Sequence, residues 1–462
     1  MPLANTQTRP DAGAQLRTAR LALPGTGLLL GREPMELLVA VQLGLIAAAA
    51  VGVVFGLPLW AVTDEMAHVS YVAAIGAGHL PLLNHFLIQP DIARLVPRSG
   101  AFGDQSYEAF QPPLYYVVMA IPWDVAKAAG GVRAAVHVLR LLDLALVAAD
   151  VALLSALARR VAPSRDAALA AFAFALTYVL WPGVVFRSVT VSNIALEMPL
   201  TTAALLALWV AYDDDSPRAL IVAGGLCGLG WLCRLPFPVV VVLPVVAWRF
   251  RRRAPLAALA ALALPVAMIG PWLVDNALRY HDPTDGAIVR HMQGWFLNPT
   301  GRPFGLSRLL AVSKSLLGGL LPEEWNDAAT PFGGYALSNG LLHVIRAALV
   351  VWVLVPFGVW LWRGPRRVWP LVAPLIIGVA LMWLETAAER MPFVTPRYVY
   401  PVLPGFGLAC GLALARPRRR SDGNLTARRR PVAAPLLAAT LTAGLSSLWL
   451  YLVIAVPPLL NT

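Results

Sequence analysis

Asp64, Glu65 and His68 stand together just past the first long apolar stretch, in Asp64-Glu65-Met66-Ala67-His68-Val69-Ser70-Tyr71, which runs on to Gly78-His79-Leu80-Pro81. Charged groups are costly beside hydrocarbon, so an acidic pair at a helix exit marks a functional site by default. Asp64 and His68 are four residues apart and share one face if the segment is helical. A carboxylate placed there can act as a general base. Carboxylate and imidazole together could also hold a divalent cation, although two ligands do not make a site. The plain alternative is a solvated acidic loop. The stretch to Pro81 is mildly amphipathic, as suits a helix lying along a membrane surface.

The elements that must position these residues are apolar. The chain has 462 residues, 58% hydrophobic and 13% charged, with mean hydropathy +0.67. Soluble domains carry roughly 25% charged residues. The composition is that of an all-α polytopic membrane protein, and the long uninterrupted apolar runs exclude a β-barrel. Net charge is +12, but the arginines cluster in short loops between apolar runs. That is the positive-inside pattern, and a basic face against anionic lipid explains it without a nucleic-acid partner. Cys227, Cys233 and Cys410 fall inside apolar segments, which predicts packing rather than a disulfide framework or zinc site.

Segments long enough to cross fall at 35–57, 137–158, 167–186, 193–212, 219–233, 237–249, 254–273, 338–361, 368–386, 399–415 and 432–457, about eleven crossings. The short pair around Arg234 reads either as two spans meeting there or as one bent helix; Pro236, Pro238 and Pro244 favour a break. Arginine clusters at 159–165, 249–253, 363–367 and 416–430 are placed in the cytoplasm with the N-terminal tail 1–34. The core then runs over 35–415, followed by a basic cytoplasmic loop at 416–431 and a C-terminal crossing within 432–462. Parity makes the apolar 111–129 an interfacial or re-entrant helix belonging to the first outer loop, 58–136, because a crossing there would move every later cluster outside. A second outer loop spans 274–337.

This topology gathers polar residues at the outer helix ends: His68, Gln111, Arg140, Arg187, Asn193, Arg234, Asn276, Tyr280, Arg397 and Tyr398, beside Asp64 and Glu65. Any one of them could be an interfacial snorkelling residue. As a set, arginines around carboxylates suit a phosphorylated lipid and a general base.

Several ordered motifs share this side. The first is the Asp64-Glu65 element with its Gly78-His79-Leu80-Pro81. Next come Tyr107-Glu108-Ala109-Phe110-Gln111-Pro112-Pro113-Leu114-Tyr115-Tyr116, Arg140-Leu141, Arg187-Ser188-Val189-Thr190-Val191-Ser192-Asn193, and Arg234 between two short helices. Pro271-Trp272-Leu273-Val274-Asp275-Asn276-Ala277-Leu278-Arg279-Tyr280-His281-Asp282-Pro283 and Pro396-Arg397-Tyr398-Val399-Tyr400-Pro401 complete the set. Together they resemble the GT-C membrane glycosyltransferases, in particular the protein O-mannosyltransferase and aminoarabinose-transferase superfamily. There are three departures: Ile194 stands where many members have a second Asp, Asp275 replaces an Arg, and Arg234 stands where many carry Lys.

The resemblance implies a GT-C fold with a large first extracytoplasmic loop carrying interfacial helices, in the plasma (inner) membrane, with the N-terminus cytoplasmic and the active site outside. It implies transfer of a sugar from a polyprenyl-phosphate donor to a hydroxyl acceptor on a glycan, lipid or protein, with inversion. Asp64, or the Asp64/Glu65 pair, would take the acceptor's proton. Arg397, with Arg187 or Arg234, would hold the phosphate. Metal dependence stays open. A transporter or flippase without covalent chemistry is the alternative class, and a non-catalytic scaffold that kept the fold is a third. The topology is tested by introducing a cysteine at Ser99: an impermeant maleimide should label it from outside, and labelling only from the cytoplasm would overturn the arrangement.

Overall fold

The structure, a computed structural model, describes residues 64–82, 88–95, 107–179, 190–235, 237–284, 364–389 and 400–415, with scattered positions in 40–60, Val184 and 354–362. The longer helices are α1 (Glu65–Gly76), α2 (Leu114–Val161), α3 (Arg165–Val179), α4 (Ile194–Asp213), α5 (Pro217–Cys233), α6 (Pro255–Tyr280), α7 (Trp369–Glu389) and α8 (Leu403–Ala415). Of these, α2, α4 and α6 are long and apolar enough to cross a membrane.

Between apolar helices in lipid there is little hydrophobic drive, so close van der Waals packing at small residues does the work. The contacts follow that rule. A Cβ on Gly224 of α5 would meet the backbone of Ala261, and one on Gly228 would lie 3.2 Å from the Cα of Pro265, so α5 and α6 pack in parallel. A Cβ added at Gly407 or Gly411 of α8 would lie 2.8 or 2.7 Å from the Cα of Ala175 or Ala171 of α3, an antiparallel contact. Both α5–α6 and α3–α8 leave no room for a side chain at these glycines.

The chain breaks where its residue types demand it. Ser216 caps α5 by accepting from the amide of Ala219, with Pro217 at the first helical position. At the other end α5 stops at Cys233, and Arg234 is extended (φ −161°, ψ 140°). A 3-10 turn at Pro238–Val241 and the short helix Leu243–Trp248 follow. The ambiguous pair around Arg234 is therefore one regular helix and a broken return. The expected interfacial helix 111–129 and the crossing 137–158 are two halves of α2. They are joined at Gly131, whose φ of 75° and ψ of −173° suit only glycine. The first half exposes Val117, Val118, Ile121 and Val125, an apolar stripe, and carries Lys127 bonded to Asp91 at 2.6 Å.

The two ends of the bundle differ chemically. At one end, where α2 and α4 stop and α5 begins, Asp214 pairs with Arg160, and Asp215 with Arg253 and with Arg249 at 3.2 Å. The Arg253 hydrogen bond, helped by the charges of Arg253 and Arg249, holds the Asp215 carboxyl below the usual carboxylate range. Asp214 and Asp215 of the acidic run thus counter the charge of two of the arginine clusters. The tail 1–34, residues 285–337 of the expected second outer loop, and everything after Ala415 lie outside the described residues. The three cysteines are buried and free.

Candidate active site

At the opposite end, the start of α1, the middle of α2, the start of α4 and the end of α5 converge. Asp64 caps α1 in the left-handed region (φ 76°, ψ −19°), and its carboxylate makes no capping bond to the helix. Asp tolerates this region better than most residues, yet such backbone is uncommon and tends to mark functional positions. The amide of His68 donates to the Asp64 carbonyl at 2.9 Å, so the spacing of four is realised on one helix.

Glu65 points into the protein. Its Oε1 accepts from Arg140 Nε (2.8 Å) and the Val191 amide (3.2 Å). Its Oε2 accepts from Arg140 Nη2 (2.6 Å) and the Trp60 amide (3.3 Å). Arg140 Nη1 donates to the carbonyls of Val54 (3.2 Å) and Leu57 (2.9 Å). Both side chains are 0% exposed. A carboxylate offers about four lone-pair sites, and here the four donors use that capacity. Glu65 is therefore arranged as the counter-ion of Arg140 rather than as a proton acceptor.

His68 Nδ1 lies 2.9 Å from the Tyr116 hydroxyl and 4.0 Å from Glu108 Oε2. Tyr116 stacks on Tyr71 at 3.7 Å between ring centroids. The Tyr71 hydroxyl donates to the Gln111 carbonyl (3.1 Å). Asn193 Nδ2 donates to Gln111 Oε1 and to the Cys233 carbonyl, both at 3.3 Å, and Cys233 Sγ donates back to the Asn193 carbonyl at 3.4 Å. Arg234 follows directly, its Nη1 donating to Glu197 Oε2 at 3.2 Å. All of these residues are buried.

The sequence-derived residues Asp64, Glu65, His68, Gln111, Arg140, Asn193 and Arg234 thus fall on converging elements, most of them joined by hydrogen bonds. Asn276 closes the end of its own helix, its amide donating to the Pro283 carbonyl at 3.3 Å, and Tyr280 ends α6. Arg187, Arg397 and Tyr398 lie outside the described residues. Ile194 is buried apolar core, so no second acid stands there.

Sequence reasoning missed Asp143, Asp150 and Glu197, all fully buried. Asp143 accepts from the Tyr115 hydroxyl (2.9 Å to Oδ2) and the Ser192 amide (3.3 Å). Asp150 Oδ1 accepts from Thr202 at 2.5 Å. Their signal was available: a carboxylate inside an apolar run is costly and seldom idle. Among the described residues no group of three or more His, Cys, Asp or Glu could hold a metal ion.

No family model matches the sequence, and no curated protein matches it. Solved structures do match. The chain has the all-α polytopic fold of a GT-C membrane protein. The crystal structure of ArnT from Cupriavidus metallidurans bound to undecaprenyl phosphate is similar at a TM-score of 0.51 and 16% identity, covering 91% of this chain and 76% of that one. The same protein in the apo state gives 0.48 and 15%, covering 91% and 75%. At such identity the likeness is one of fold.

The buried pair generates a sharp expectation. Arg140→Met alone leaves Glu65 unpaired and should cost about 3–5 kcal/mol, whereas Glu65→Met with Arg140→Met should recover much of it. Thermal melting in detergent measures both. A single variant that melts like wild type would contradict the pairing.

Proposed function

We propose that the protein is a GT-C-type glycosyltransferase that moves a sugar from a polyprenyl-phosphate donor to a hydroxyl acceptor at the outer face of the plasma (inner) membrane. The observation that carries this reading is the buried network linking Asp64's helix to Arg234, set in a fold shared with ArnT, whose structure holds undecaprenyl phosphate.

The acceptor oxygen attacks the anomeric carbon as the bond from that carbon to the phosphate oxygen breaks. The electron pair leaves on the polyprenyl phosphate, the acceptor's proton passes to Asp64, and attack opposite the leaving group inverts the anomeric centre. Charge grows on the phosphate as the bond breaks, so a guanidinium already in place stabilises the transition state most. Arg234 is suited to this, together with Arg187 and Arg397 from the sequence motifs. Glu65, held by Arg140 and by the Trp60 and Val191 amides, anchors the helix that starts beside Asp64. The acceptor is a glycan, lipid or protein hydroxyl.

A second reading, a lipid or sugar transporter, draws on Asp150. It is a fully buried carboxylate well inside α2, of the kind that lines polar pathways.

Single-turnover transfer from a polyprenyl-phosphate sugar separates the two. Asp64→Asn keeps shape and hydrogen bonding but cannot take the proton, so it should lose about 10²–10⁴-fold in rate. Arg397→Ala should lose most activity and Arg397→Lys regain little, because an ammonium cannot grip two phosphate oxygens as a guanidinium does. Full activity in Asp64→Asn and in the Asp64→Asn/Glu65→Gln double variant would remove the carboxylate mechanism, whereas wild-type protein that transfers no sugar would favour the transporter.

A further inference from the structure

Glu197 lies one turn into α4 from Asn193 and is 0% exposed. It is held differently from Glu65, the other carboxylate paired with an arginine in this region. The Glu65 oxygens accept four donors. Glu197 accepts through Oε2 alone, at 3.2 Å from Arg234 Nη1, and its buried Oε1 accepts no hydrogen bond among the described residues. A structural ion pair removed from water normally satisfies all its oxygens, since a bare one is costly. The contact is also held in place. Asn193 and Cys233 bond reciprocally, which fixes the start of α4 against the end of α5 and keeps Glu197 beside Arg234.

Resting on the reading of Arg234 as a ligand of the lipid phosphate, we propose that Glu197 promotes release of the polyprenyl-phosphate product by offsetting Arg234's charge. The donor is a phosphodiester with one negative charge. Transfer breaks the sugar–phosphate bond and leaves a phosphomonoester with about −1.5 to −2 at pH 7. The charge balances, since the carboxylate that took the acceptor's proton becomes neutral. Arg234 alone would bind product more tightly than donor and would stall turnover. The Glu197 carboxylate, held 3.2 Å from Arg234 Nη1, repels the added charge.

The size of the effect follows from Coulomb's law: an added charge at ~7 Å from a carboxylate, at an effective dielectric of about 20, changes affinity by roughly tenfold or more. The probes are undecaprenyl phosphate and its monomethyl ester, which share the lipid and differ by the charge in question. Equilibrium binding of each is measured at pH 7.5 on the full chain in nanodiscs.

Glu197→Gln should tighten binding of the monoester about tenfold relative to the methyl ester, and Glu197→Asp, which keeps the charge, should hold the wild-type ratio. If Glu197→Gln does not fold, as judged by melting and size exclusion, Glu197→Met supplies the same loss of charge. An unchanged ratio in the neutral variant overturns the proposal, and so does an equal shift in Glu197→Asp. Wild-type protein that binds neither lipid would instead count against Arg234 as a phosphate ligand, and so against the reading beneath the proposal.

Discussion

One ion pair organises the candidate site. Glu65 and Arg140 are 75 positions apart in the chain and meet with both side chains out of solvent. Through them, Trp60, the carbonyls of Val54 and Leu57, the start of α1, the middle of α2 and the Val191 amide are tied to a single point. Removing two charges from water is costly, and the arrangement is tolerable because Glu65 accepts four donors while Arg140 also donates to two backbone carbonyls. The consequence for Asp64 is direct. With Glu65 turned inward and α1 starting at it, Asp64 is left at the helix cap in left-handed backbone, adjacent to the anchor but outside it.

The turn from Thr190 to Asn193 is the second half of the same design. Its successive polar groups go to different segments: the Val191 amide to Glu65, the Ser192 amide to Asp143, and the Asn193 side chain to Gln111 and Cys233. This pins the start of α4, and with it Glu197 and Arg234. The far end of the bundle is built from exposed pairs among Arg160, Arg249, Arg253, Asp214 and Asp215. Exposed pairs of that kind contribute little each, whereas the buried ones can specify which segments meet. Polar investment is therefore concentrated where the segments must be held in register.

Much of this was legible in the sequence. Apolar runs gave the helices, since length and composition alone decide what can cross. Prolines after Arg234 gave the break, and the Asp64–His68 spacing gave the shared face. Pairing was not legible. Nothing local says that Glu65 belongs to Arg140 rather than to substrate, because only the packed bundle brings them together. Asp143, Asp150 and Glu197 were absorbed into apolar runs whose hydropathy they barely alter. The division of α2 depends on one backbone angle at Gly131, and a glycine in a run that also holds Gly130 does not announce which residue bends.

The most direct test of the account is an experimental structure with undecaprenyl phosphate bound. The account predicts the phosphate at the Asp64 end, within about 3 Å of the Arg234 guanidinium, with Asp64 facing the space where the sugar would lie. A phosphate bound instead among Arg249, Arg251 and Arg253, with no lipid at the Asp64 end, would contradict it.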